Sequence, residues 1–197
     1  MTPKALLGQL PKTRTGDPAK DIASLHVALA SILRKLDDNY SGQVVFPAIQ
    51  NPSTDPNTLD DYVEGNWTPV LTFTTPGDVS VTYSEQVGRY TKIGRLVIVS
   101  CSITTSAFTH TTAAGSAVIS GLPFTAENAG TQLFRGALTW QGITKANYTD
   151  ISLAVVQNAT TTRLQASGSG QVISNVSTAD MPTGGAVILR GTAAYNV

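Results

Sequence analysis

The sequence predicts a mainly β protein with an N-terminal α-helix: an antiparallel β-sandwich or jelly-roll-like head on a short coiled-coil stalk. Three observations predict it. From Val87 to Thr105 residues alternate with a period of two, broken only by a short turn at Lys92-Ile93-Gly94-Arg95. After Trp67, turn signals separate about nine short runs at the spacing of an all-β domain. Between Asp17 and Asp38 the apolar period changes from two to alternating steps of three and four, the period of an amphipathic helix.

Taken in order, residues 1–16 form a polar arm with Lys4, Lys12 and Arg14, punctuated by Pro3, Gly8 and Pro11. Without periodicity it predicts an extended docking segment. Asp17-Pro18 opens a helix over 17–39: aspartate accepts hydrogen bonds from the first free N–H groups, and proline suits the first helical position. Ile22, Leu29 and Leu36 occupy heptad position a, with Leu25 and Ile32 at d. These five predict an oligomerisation seam about 31 Å long. The alternative is an amphipathic helix lying on its own β-domain.

Residues 40–66 read as a neck, with Pro47, Pro52 and Pro56 and one short apolar run, Val44–Phe46. Its acidic end, Asp60, Asp61 and Glu64, fits a solvated hinge or a calcium site. The head then spans 67–197. Expected strands are Pro69–Thr74, Val79–Ser84, Val87–Lys92, Leu96–Thr105, Ser116–Ser120, Gln132–Trp140, Ile151–Gln157, Thr161–Ala166 and Ala186–Tyr195. The turns between them include Pro76-Gly77-Asp78, Asn128-Ala129-Gly130, Asn158-Ala159 and Thr183-Gly184-Gly185. In the fourth strand Val97, Val99, Cys101 and Ile103 should face the core.

Composition narrows the function. Thirteen basic and thirteen acidic residues leave a formal net charge of zero, which argues against a general nucleic-acid binder. Serine and threonine make up roughly a fifth of the chain and charged residues 13%, a balance that suits hydroxyl-covered β-structure. Cys101 is the single cysteine, so no internal disulfide forms, and its apolar register makes it a buried hydrophobe rather than a nucleophile. No basic-then-apolar leader and no run of about 18 apolar residues is present. The expectation is a protein made in a cytoplasm, outside the Sec route and without membrane insertion.

The residues predict no enzyme and no cofactor. Glycoside cleavage needs two carboxylates across the scissile bond, and the head offers only Asp78, Glu85, Glu127, Asp150 and Asp180. His26 and His110 have no second imidazole or thiol at ligand spacing, so no metal site is expected. His110 reads as a solvated loop histidine, with an ion held on a threefold axis as the alternative. Sugar recognition pairs an aromatic face with nearby hydrogen-bonding groups. Trp140, Gln141, Lys145, Asn147 and Tyr148 place those groups in one segment and are the candidate ligand-binding residues. The alternative for Trp140 is a strand end tucked into the core or a subunit interface.

One cluster goes further. Gly65-Asn66-Trp67-Thr68-Pro69, then Gly88-Arg89-Tyr90-Thr91-Lys92-Ile93-Gly94, then Gly121-Leu122-Pro123-Phe124 together resemble the β-module of bacteriophage tail and head fibres. The resemblance covers about 59–124. It implies a homotrimeric virion appendage, docked on capsid, portal or tail through its N-terminal region, with a β-head turned outward. The motif residues themselves would be structural. The expected function is a phage fibre or spike contacting the host surface through an envelope glycan. The alternatives are a decoration protein without a receptor role and a polysaccharide-degrading spike.

Overall fold

The computed structural model describes residues 16–39, 46, 49, 53, 55, 58–59, 61–128, 130 and 134–197, with only the backbone at 34–39. The arm at 1–15, the Leu36 side chain, Asp60, most of the neck and residues 132 and 133 of one expected strand lie outside that set. The chain divides into two compact units, Met1–Ala48 and Ile49–Val197.

In the first unit, α1 spans Pro18–Asn39. Its start follows the expected chemistry: Asp17 Oδ1 accepts from the Ala19 N–H at 3.0 Å and the Lys20 N–H at 3.4 Å. Ile22, Leu25 and Leu29 are exposed, as are Val27 and Leu33. No described helix is long and apolar enough to cross a membrane.

The second unit carries β1 (Tyr62–Trp67), β2 (Val70–Thr75), β3 (Ser80–Ile93), β4 (Leu96–Thr109) and β5 (Ala114–Ser120). It continues with β6 (Arg135–Gln141), β7 (Asp150–Val155), β8 (Thr161–Ser167), β9 (Ser174–Asn175) and β10 (Ile188–Asn196). The strands form one antiparallel sheet in the order β1-β3-β4-β10-β6-β7-β8-β5-β2, with β9 on β8. The mainly β class expected from the sequence holds, but the layers belong to one continuous curled sheet.

The curl is dictated by β1 and β2. They lie at opposite ends of the strand order, yet only Thr68 and Pro69 separate them. A two-residue link cannot cross a flat sheet of this width, so the sheet must bend until its ends meet. Where the backbone ladder stops, side chains join the ends. The Leu71 N–H donates to Tyr83 Oη at 2.9 Å, and Gln86 Nε2 donates to the Pro69 carbonyl at 3.0 Å. Inward residues from across the sheet, among them Phe73, Phe108, Ile119, Leu164 and Tyr195, fill the enclosed core.

Three local differences from expectation have physical causes. Residues 62–66, expected in the neck, are strand, because β1 pairs with β3 from Tyr62↔Ile93 to Trp67↔Gly88. Val79–Ser84 and Val87–Lys92 belong to one strand, β3, whose register shifts around Tyr83 leave Ser84 out of the pairing as a bulge while Glu85 and Gln86 stay paired with Thr104 and Ile103. β4 runs four residues beyond Thr105, and its inward set is Val97, Val99, Cys101 and Ile103 as alternation required.

Candidate functional site

The fibre-like motif pieces converge at one end of the β-unit. Gly65 pairs with Tyr90 and Trp67 pairs with Gly88 across the β1–β3 ladder. Each glycine thus faces the other strand's aromatic ring. A Cβ on Gly88 would lie 2.6 Å from Trp67 Nε1, and one on Gly65 would lie 2.8 Å from the Tyr90 hydroxyl. The missing side chains are the space the rings occupy. Trp67 is buried, and its Nε1 donates to the carbonyls of Arg89 at 3.2 Å and Ser100 at 3.1 Å.

Phe124 closes the cluster. Its ring meets Tyr90 edge-on at 5.5 Å, and Lys92 Nζ lies 5.8 Å from its centroid. Lys92 is paired with Asp61, and the Tyr195 hydroxyl donates to the Phe124 carbonyl at 3.1 Å. Burial pushes the Tyr195 hydroxyl up to about 12, partly offset by that backbone contact. Three segments separated in sequence therefore form one packed cluster.

The two described residues of the acidic patch are engaged locally. Besides the Asp61–Lys92 pair, Glu64 Oε2 accepts from the Tyr62 hydroxyl at 2.8 Å. No group of three metal-ligating side chains occurs among the described residues.

The candidate ligand-binding residues sit at the other end and do not form one platform. Trp140 and Gln141 are neighbours on β6 and face opposite sides. Trp140 points inward and packs against the core, while Gln141 is exposed. Lys145 is nearly buried and bonds Asp180 Oδ2 at 2.8 Å. The same oxygen accepts the Ser177 N–H and hydroxyl, each at 2.7 Å. Burial pushes the Asp180 carboxyl up, but the Lys145 and Ser177 bonds outweigh it and hold it below the usual range. Lys145 Nζ also stands 5.4 Å from the Tyr148 ring centroid, and the Tyr148 hydroxyl donates to the Val172 carbonyl at 2.8 Å. Asn147 takes a left-handed turn, φ 68°, and is exposed. The part of this segment that reaches solvent is Gln141, Asn147 and one side of Tyr148, beside Val172 and Ile173, which are 84% and 56% exposed. Those two aliphatics carry no periodic or motif signal, and the sequence reading passed over them.

His110 also departs from expectation. It is buried, with its ring 4.9 Å from Phe73 and 5.5 Å from Phe108, and Nε2 has no hydrogen-bond partner. The solvated loop histidine is thereby corrected, because two distant phenyl rings enclose it.

The carboxylates named in the sequence are engaged separately. Asp78 accepts the N–H groups of Thr111 and Thr112 at 2.9 and 2.7 Å, and the Thr111 hydroxyl as well. Hydrogen bonding from Thr111 leads in holding it far below the usual carboxylate range. Glu85 faces Thr104 and Arg190, Glu127 accepts from Asn196, and Asp150 accepts from Ser167. Between β1 and β3, Glu64, Gly65, Asn66, Arg89, Tyr90 and Thr91 line an open depression of about 540 Å³.

No family model matches this chain, and no curated protein matches it. Among solved structures it is similar to the Dettilon tailspike protein, at 20% identity and a TM-score of 0.48, over 67% of this chain and 23% of that one. The chain thus spans less than a quarter of that protein's length.

Proposed function

We propose that the chain is a fibre or spike subunit of a phage or phage-like virion, trimerised through α1, whose β-unit contacts the host envelope and binds a glycan without cleaving it. The observation that carries this reading is the lock of Trp67 on Gly88, Tyr90 on Gly65 and Phe124 on Tyr90. It gives the scattered fibre-like motif a single structural purpose. Exposed Ile22, Leu25 and Leu29 support self-association of the helix.

Strand directions support the placement of the contact. β1 enters the β-unit beside the Gly94 turn, where the Gly94 N–H donates to the Asp61 carbonyl at 2.8 Å. The loops 142–149 and 168–187 lie at the opposite end of the strands, so they face away from the entry. Gln141, Asn147, Tyr148, Val172 and Ile173 are the proposed contact residues. Docking on capsid, portal or tail falls to the N-terminal unit.

The test is binding of fluorescently labelled full-length protein to intact cells of the natural host, before and after enzymatic stripping of surface polysaccharide. Binding lost on stripping is expected. An assembled oligomer that binds neither preparation overturns the receptor reading in favour of a decoration protein. The inward Trp140 and the Lys145–Asp180 pair favour that second reading, since both withdraw ligand-binding chemistry from the surface.

A further inference from the structure

The proposed glycan contact uses the outer face of β1, β3, β4, β10 and β6 only at Gln141, at the end of β6. Ile93 pairs with Leu96, and Ile98 stands two residues along β4, opposite Ala194 of β10. Ile93, Leu96 and Ile98 are 41%, 40% and 45% exposed, and Val87, on the same face, is 47% exposed. Scattered surface aliphatics need no explanation, but adjoining ones across neighbouring strands mark a contact. Between the strands' ends the middle of the face is made of short residues, with Ser100, Thr192 and Ala137 in one row, and the long charged side chains stand around them.

Its charges identify what fits. Glu64 and Glu85 share the face with Arg89, Arg135 and Arg190, and Arg190 Nη2 lies 3.6 Å from Glu85. A face of mixed charge offers both partners of an ion pair to a copy of itself. The helix adds an independent reason. A seam of exposed Ile22, Leu25 and Leu29 at heptad spacing binds like helices. Tethered β-units then meet at an effective concentration of about millimolar.

We propose that this outer face is the surface through which the β-units of neighbouring copies pack against one another. The proposal rests on the trimeric fibre reading and assigns the surface that reading leaves open. The depression lined by Glu64 and Arg89 would receive a neighbour's polar side chain at the rim.

Site-directed thiol labelling tests it in the full chain. Cys101 is buried with its thiol pushed up to about 11 by burial, so it stays silent. Ile98→Cys places a probe at the centre of the face, and Arg163→Cys places one outward on β8 as a free reference. In the assembled protein we expect Ile98→Cys to be alkylated at least ten-fold more slowly than Arg163→Cys. Ile98→Lys should weaken association at least ten-fold in sedimentation equilibrium while the circular dichroism of the β-unit stays native. Equal alkylation rates in a confirmed oligomer overturn the proposal and leave the trimeric reading intact. A wild-type chain that sediments as a monomer at every concentration overturns both.

Discussion

Replacing Gly88 by alanine should be among the most damaging single-methyl changes available in the β-unit. The new Cβ would sit 2.6 Å from Trp67 Nε1 and 2.7 Å from its Cδ1 and Cε2. The indole must withdraw by about 1 Å to restore ordinary contact near 3.5 Å. That stretches both bonds from Nε1, now 3.2 and 3.1 Å, in a buried side chain. An unsatisfied buried N–H costs about 1–3 kcal/mol and overpacking about 1–3 kcal/mol, while losing a strand glycine returns about 0.5–1 kcal/mol. The net loss is about 1–5.5 kcal/mol, a fall of roughly 2–20 °C in Tm for a domain of this size. Thermal and urea unfolding of the wild type, Gly88→Ala, Trp67→Leu and the double variant form a cycle. With the indole removed, Gly88→Ala should cost under about 1 kcal/mol, because overpacking disappears with its partner. An equal cost in both backgrounds would refute the steric argument.

Three further outcomes follow from the same geometry. Gly94→Ala meets no atom within 4 Å but must hold φ near +56°, so unfolding should show a loss of about 1 kcal/mol that is the same with or without Trp67. Lys145→Met should destabilise by about 1–3 kcal/mol near neutrality through loss of a charged hydrogen bond. Asp180 has a lowered folded pKa, so its contribution is present above the unfolded carboxylate value of about 3.9. The gap between wild type and variant should therefore close as pH falls through the lower folded value in acid titration. His110→Phe removes an unpartnered Nε2 from an aromatic pocket, so urea unfolding should show equal or higher stability, by up to about 1–3 kcal/mol. A loss above about 1 kcal/mol would mean that Nε2 is satisfied in solution.

What could be read from the sequence was whatever depends on neighbours in the chain. The alternation of β4 reports its own burial, and Asp17-Pro18 reports its own cap. β1 escaped because Glu64, Gly65 and Asn66 are poor strand formers; it exists through glycine–aromatic pairing with residues more than twenty positions away. The join within β3 escaped because a bulge lets polar residues interrupt alternation without ending the strand. His110 read as solvated because threonines surround it in sequence, whereas Phe73 surrounds it in space. The candidate site was half legible. Residue types announced hydrogen-bonding capacity, but Lys145 finds Asp180 thirty-five residues on, and no local pattern foretells that pairing.

β10 lies between β4 and β6, in the middle of the sheet rather than at its margin. As the chain leaves the ribosome, β4 and β6 each wait with an open hydrogen-bonding edge until the last strand of the unit is made. The β-unit therefore completes itself only after synthesis has passed residue 196, whereas α1 has been free to fold since early in translation. Helices of chains made on one message can meet while their sheets are still unfinished. A premature stop anywhere before β10 leaves a gap in the centre of the sheet and two edges ready to join another chain's. For this architecture a late truncation is as harmful as an early one.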